Sequence, residues 1–135
     1  MQANKRANST ITIDLDGVAA NFKLIQGIVG NGVTCAAVVK ANAYGLGANQ
    51  VAGRLRRAGC RNFFVATAEE GLKLRDGFNT AGDEASFNIF VLNGPTPSTL
   101  TDFSSGLMTP VLNSLPQIDL WRNHRRETSC ISDAA

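Results

Sequence analysis

The chain has 135 residues, of which 44% are hydrophobic and 18% charged, and its formal net charge is +2. Such a composition excludes a disordered chain and supplies enough apolar side chain for the core of one domain. So small a positive excess gives no support to nucleic-acid or membrane-surface binding, and no apolar run approaches the roughly 18 residues of a membrane span.

Residues 1–9 are polar and expected to be disordered. Thr10–Leu15 alternates apolar and polar residues, the pattern of a half-buried strand. Asp16 then reads as the N-cap of a helix whose apolar positions are Val18, Phe22, Ile25, Ile28 and Val29. Gly30-Asn31-Gly32 stops that helix, and Val33–Val39 follows as a buried strand. Ala48–Ala58 predicts a second helix, with Arg54, Arg56 and Arg57 suited to its C-terminus and Gly59 to its end. Asn62–Ala66 is a third strand. Thr67 and Glu70 form a capping-box pattern opening a helix that ends near Asp76-Gly77. After a polar loop over 78–86, Phe87–Leu92 is the clearest strand in the chain. Ser98 caps a short helix through Phe103. Leu107–Leu112 reads as a strand containing Pro110, and Ser114 caps a helix from Leu115 to Arg122.

Strand and helix alternate throughout, which predicts an α/β fold of parallel strands joined by crossover helices. A doubly wound sheet and part of a (β/α)₈ barrel both fit. No GxGxxG follows the first crossover strand, so a dinucleotide site has no support. A complete barrel takes about 250 residues, and this chain supplies about half of one.

Lys40 carries the chemistry. It ends the apolar run Cys35–Val39 and precedes a turn-like stretch holding Asn42, Tyr44, Gly45 and Gly47. A lysine at the C-terminal end of a buried strand stands at the mouth of its sheet, where desolvation favours the free amine that a Schiff-base lysine needs. The bland alternative is a strand-end lysine that snorkels to water.

The segment AVVKANAYGLG, at Ala37–Gly47, resembles the cofactor-lysine motif of bacterial alanine racemases, with Leu46 where the usual form has histidine. ITIDLDGVAANF resembles that family's opening strand and first helix. VATAEEGLKLRDG, IFVLNG and LMTPVLNSLPQIDLW resemble later segments in the same order, so the likeness covers residues 10–122. It implies the N-terminal part of a (β/α)₈ TIM-type barrel that binds pyridoxal 5′-phosphate, in a cytoplasmic, homodimeric enzyme that interconverts L- and D-alanine for cell-wall precursors. By this resemblance Lys40 forms the internal aldimine and is one of two catalytic bases. Tyr44 reaches the cofactor phosphate, and Val38 and Leu92 lie beside its ring. The family's opposite base is a tyrosine of the partner subunit's β domain. Tyr44 is the only tyrosine here, so the second base is not in this chain. Residues 123–135 are expected to be an atypical tail, its ending Glu127–Ala135 resembling nothing in the family and left by a truncation near residue 127, with the chain inactive alone. The competing expectation is a degenerate fragment that binds the cofactor without catalysis, or binds nothing. Single-domain barrel proteins that carry pyridoxal phosphate without racemising also place a lysine at a strand end, but their wording differs from KANAYG.

Three cysteines, Cys35, Cys60 and Cys130, form neither an even set nor a CxxC pair. Reduced cytoplasmic thiols are therefore expected, rather than a disulfide framework or a zinc site. The N-terminus has no apolar stretch of the secretory kind. Cys35 reads as a small core residue and Cys60 as a loop or strand-edge thiol. His124, the only histidine, lies among Arg122, Arg125 and Arg126 and reads as a solvated basic helix end. Asp14 and Asp16 read as strand-end and cap residues.

Overall fold

The computed structural model describes residues 10–79, 86–104, 106 and 108–132. Among these described residues ten elements follow in order: α1 (Leu15–Val29), β1 (Ala37–Val38), α2 (Lys40–Tyr44), α3 (Ala48–Arg57), β2 (Asn62–Val65), α4 (Ala68–Asn79), β3 (Asn88–Val91), α5 (Leu100–Ser104), β4 (Thr109–Pro110) and α6 (Leu115–Ser132). The four strands form one sheet in the order β1-β2-β3-β4, and every pair is parallel. The expected parallel sheet with crossover helices is thus observed.

Thr10–Leu15 is not a strand of this sheet. Residues 10–14 take no regular structure, and Ile11 and Ile13 are exposed. The physical reason lies in Asp14, whose carboxylate accepts the backbone N–H of Asp16 (3.0 Å) and of Gly17 (2.9 Å). That cap starts the helix at Leu15, so Asp14 does the work expected of Asp16. Asp16 instead accepts a 2.8 Å bond from Arg54 Nε, tying α1 to α3.

The ladder register sorts the sheet's two faces. Ala37, Phe63 and Ile89 share one row, and Val38, Phe64, Phe90 and Thr109 the next. Phe63, Ile89, Val39, Val65 and Val91 are all buried, because α3 and α4 cover that face. The alternate row is half-buried or exposed, with the Phe64 and Phe90 rings stacked 4.8 Å apart. One face is therefore helix-covered and the other is open, apolar at Val38, Phe64 and Phe90 and polar at Asn62, Asn88 and Thr109. Pro110 is tolerated because β4 is an edge strand, and the ladder resumes beyond it where Val111 donates to the Val91 carbonyl.

Phe78, expected in a loop, is a buried residue of α4. Its ring lies 5.4 Å from Phe63 and 4.5 Å from Phe87. The Arg56 guanidinium enters this aromatic group, 4.8 Å from the Phe78 centroid and 4.6 Å from that of Phe87. Arg56 is thus buried against rings rather than solvated at the end of α3. The last helix, α6, continues past the expected end at Arg122 through Ser132.

Gly94, just beyond β3, is buried at φ +71, and a Cβ there would lie 2.5 Å from the Val111 carbonyl oxygen. Backbone cannot yield as a flexible side chain would. Gly94→Ala is expected to destabilise the fold by ~2–3 kcal/mol, read by denaturant unfolding; a cost below ~0.5 kcal/mol would contradict the close approach.

Candidate functional site

Parallel strands in register bring their C-terminal ends to one edge, the edge at which α/β sheets carry their sites. Lys40 lies just past β1, Ala66 past β2, Leu92 past β3 and Val111 past β4. The ladder continues one step beyond the assigned strands. Val39 N–H donates to the Phe64 carbonyl (2.8 Å) and Leu92 N–H to that of Val65 (2.9 Å). Lys40 therefore follows directly on a hydrogen-bonded residue, at a fixed place on this edge. Its side chain is half-buried.

The chain then does something rare. Ala41, Asn42, Ala43 and Tyr44 all have positive φ, between 51 and 55, so α2 winds left-handed from the residue after Lys40. A left-handed turn costs roughly 1–2 kcal/mol per residue with a Cβ, and it persists only where the surroundings hold it. Here Gly45 N–H donates to the Ala41 carbonyl (3.0 Å) and Gly47 N–H to that of Asn42 (2.9 Å). Asn42 Oδ1 accepts the Ala48 N–H at 2.9 Å, which caps α3. Gly45 and Gly47, at φ 86 and 95, lead the chain out of the turn.

Glu70 completes the arrangement. Its Oε1 accepts the N–H of Ala41 at 2.9 Å, and its Oε2 accepts the N–H of Ala66 at 2.8 Å. Half of the expected capping box is present, since Glu70 N–H donates to Thr67 Oγ1 (3.3 Å). The carboxylate reaches past Thr67 to Ala66 and the lysine turn. Nothing local in the sequence announces this. The nearest signal was an acidic residue in a first turn, directly after a strand that neighbours the lysine strand.

The four residues singled out from sequence fall on two settings. Lys40 directly precedes the left-handed turn and Tyr44 closes it, with Tyr44 65% exposed. Val38 lies on the open sheet face, 45% exposed. Leu92 is half-buried, and its carbonyl accepts the Asn113 side-chain amide at 2.7 Å. A cavity lies beside the turn, lined by Val39, Asn42, Asn49, Val65, Glu70 and Lys73. It is bounded by Glu70 and Asn42 rather than by Lys40 or Tyr44.

Among the described residues no group of three or more His, Cys, Asp or Glu side chains could hold a metal, and no helix is long and apolar enough to cross a membrane. His124, expected to be solvated, is half-buried, and its Nε2 lies 2.9 Å from Ser104 Oγ, joining α5 to α6. Cys60, expected as a loop or strand-edge thiol, lies in the loop between α3 and β2 but is fully buried there, with Sγ donating to the Asn62 carbonyl at 3.3 Å. Burial pushes this thiol up from its ordinary range, which leaves less thiolate. Under native, mildly alkaline conditions Cys60 is expected to alkylate at least ~10-fold more slowly than half-buried Cys35. Denaturant should equalise the two, and equal native rates would refute the burial.

A family model described as "Alanine racemase, N-terminal domain" matches residues 13–132. An alanine racemase of Rhodospirillum rubrum is 44% identical over 116 residues, covering 86% of this chain and 30% of that protein. A catabolic alanine racemase of Agrobacterium fabrum is 47% identical over 126 residues, covering 93% of this chain and 31% of that protein. The crystal structure of an alanine racemase from Bartonella henselae, with covalently bound pyridoxal phosphate, superposes with a TM-score of 0.76 at 36% identity. That match covers 87% of this chain and 31% of the other. The chain therefore spans less than a third of the length of these relatives.

Proposed function

This chain belongs to the alanine racemase N-terminal domain family, and on that premise we propose that it binds pyridoxal 5′-phosphate covalently through Lys40 as one part of an alanine-racemising site. The observation that carries the reading is Lys40 itself, at the C-terminal edge of a parallel sheet and followed by a left-handed turn. The residues present fit the cofactor in kind. Lys40 offers an amine to an aldehyde. The largely exposed phenol of Tyr44 can donate to a phosphate, and Val38 on the open face, with Leu92, offers apolar surface to a planar ring. When bound, the cofactor supplies the electron sink that makes the Cα proton of alanine removable. Once free as an amine, Lys40 Nζ would take that proton, or return it, on one face.

Racemisation requires a second base on the opposite face, and the only tyrosine in these 135 residues is already engaged in the proposed phosphate contact. We therefore assign the 135 residues alone to cofactor binding without turnover. The complete activity belongs to a homodimeric, cytoplasmic assembly in which a second chain supplies the other base, with residues 10–122 as the N-terminal part of its barrel.

Two assays test the reading. Purified protein is mixed with pyridoxal phosphate, reduced with borohydride and digested, and the added mass is located. Attachment at position 40 is expected, and its absence there would overturn the binding role. D-alanine formation from L-alanine is expected not to exceed that of free cofactor; turnover above it would overturn the division of labour.

A further inference from the structure

The carboxylate of Glu70 is spent entirely on two backbone N–H groups, those of Ala41 at 2.9 Å and Ala66 at 2.8 Å. Neither is an arbitrary amide. The N–H of Ala41 belongs to the same rigid peptide unit as the carbonyl of Lys40, so holding one holds the other. On the other side of Lys40, the Val39 carbonyl, which shares its peptide unit with the Lys40 N–H, accepts the Ala43 N–H at 2.9 Å. Lys40 is thus the single residue between two anchored peptide groups. The Ala66 N–H shares its peptide unit with the carbonyl of Val65, the last residue of β2. Glu70 therefore joins the end of β1 to the end of β2 through one side chain.

The turn needs such an anchor. Its left-handed bonds run from Ala43 to Val39, from Gly45 to Ala41 and from Gly47 to Asn42. None of these uses the Ala41 N–H, and four residues with a Cβ sit at positive φ. Charge-assisted bonds to backbone N–H groups are roughly twice as strong as neutral ones, which suits a carboxylate holding a strained turn.

We infer that Glu70 is the positioning residue of the lysine turn, fixing the Lys40 backbone by clamping Ala41 to Ala66. This rests on the proposed attachment at Lys40. Glu70 acts on the cofactor only through the turn.

Glu70→Gln is the test, because an amide keeps one acceptor oxygen and turns an N–H donor toward the other backbone N–H. Glu69→Gln is the control; Glu69 is exposed and bonds Lys73 instead. Amide hydrogen exchange, followed by NMR on the 135-residue chain, should find Ala41 and Ala66 both protected in the wild type. In Glu70→Gln at least one should exchange ~10-fold faster or more, with Glu69→Gln unchanged. The rate of borohydride-fixed attachment to Lys40 should fall ~10-fold or more in Glu70→Gln, with the melting temperature within a few degrees of wild type.

Rapid wild-type exchange at either amide, or unchanged exchange in Glu70→Gln, overturns the clamp. Faster exchange with an unchanged attachment rate overturns the positioning role and leaves a purely structural one. If the wild type attaches no cofactor, the reading of Lys40 fails, and the exchange measurements still decide whether Glu70 holds the turn. Should Glu70→Gln not fold, Glu70→Asp replaces it with the same readouts, its shorter carboxylate being unable to span both amides.

Discussion

Lys40→Ala is expected to remove covalent attachment of pyridoxal phosphate at this edge of the sheet, lowering the borohydride-fixed mass at least ~100-fold. A positioned nucleophile can be worth several orders of magnitude over the same group free in solution, and alanine offers no nucleophile at all. Lys23 and Lys73 do not substitute. Lys23 is exposed on α1, and Lys73 is bonded to Glu69 at 2.6 Å on α4. Lys40→Arg sharpens the experiment, since it keeps the charge and length but carries a guanidinium that stays protonated. It should lose attachment as completely as Lys40→Ala. The fold should survive both, because Lys40 is half-buried and is not part of the core cluster. Equal labelling of wild type and Lys40→Ala would show that the cofactor reacts with other amines, and the proposed site would fall.

The second large effect is on stability and compares neighbours in one strand. Phe63 is fully buried, with its ring against Phe78, whereas Phe64 lies on the open face and stacks on Phe90. Phe63→Ala is expected to cost ~3–5 kcal/mol, a large part of the roughly 5–15 kcal/mol that holds a domain folded. That corresponds to a fall in melting temperature on the order of 10–20 °C. Phe64→Ala removes the same side chain from a half-buried position, so it should cost less than half as much. Calorimetry of the two variants decides the matter. If Phe64→Ala costs as much as Phe63→Ala, the assignment of a covered and an open face is wrong.

Much of the architecture was legible in order along the chain. Helical spacing, glycine stops and short β-branched runs located α1, α3, α4, β2 and β3 to within a few residues. The alternation of those elements predicted a parallel sheet. The misplacements have identifiable causes. Thr10–Leu15 has a strand's alternation, but the Asp14 side chain satisfies the first helical N–H groups and converts its end into a cap. Phe78 follows the Asp76-Gly77 pair, which reads as a helix stop. Its burial against Phe63 and Phe87 draws another turn into α4. Cys60 is in a loop, as read, but nothing in its neighbours shows that the fold buries it completely.

The site divides along the same line. The sequence by itself determined the place of Lys40, at the end of an apolar run and before a glycine-punctuated turn, because strand ends and turns are written in adjacent residues. It also carried the family likeness through the wording around that lysine. Only the tertiary structure decided that Ala41–Tyr44 wind left-handed, since of these four residues Asn42 alone readily accepts positive φ, while the two alanines and the tyrosine have no local preference for it. It alone decided that Glu70 leaves its capping box to hold Ala41, a residue 29 positions away. It also decided that Arg56 is buried between rings and that Val38 faces an open sheet surface. Caps and periodicity act between near neighbours and can be read from a string. The energy that holds a strained turn comes from groups brought together by the packing of α4 against the sheet, and only the folded chain specifies which groups those are.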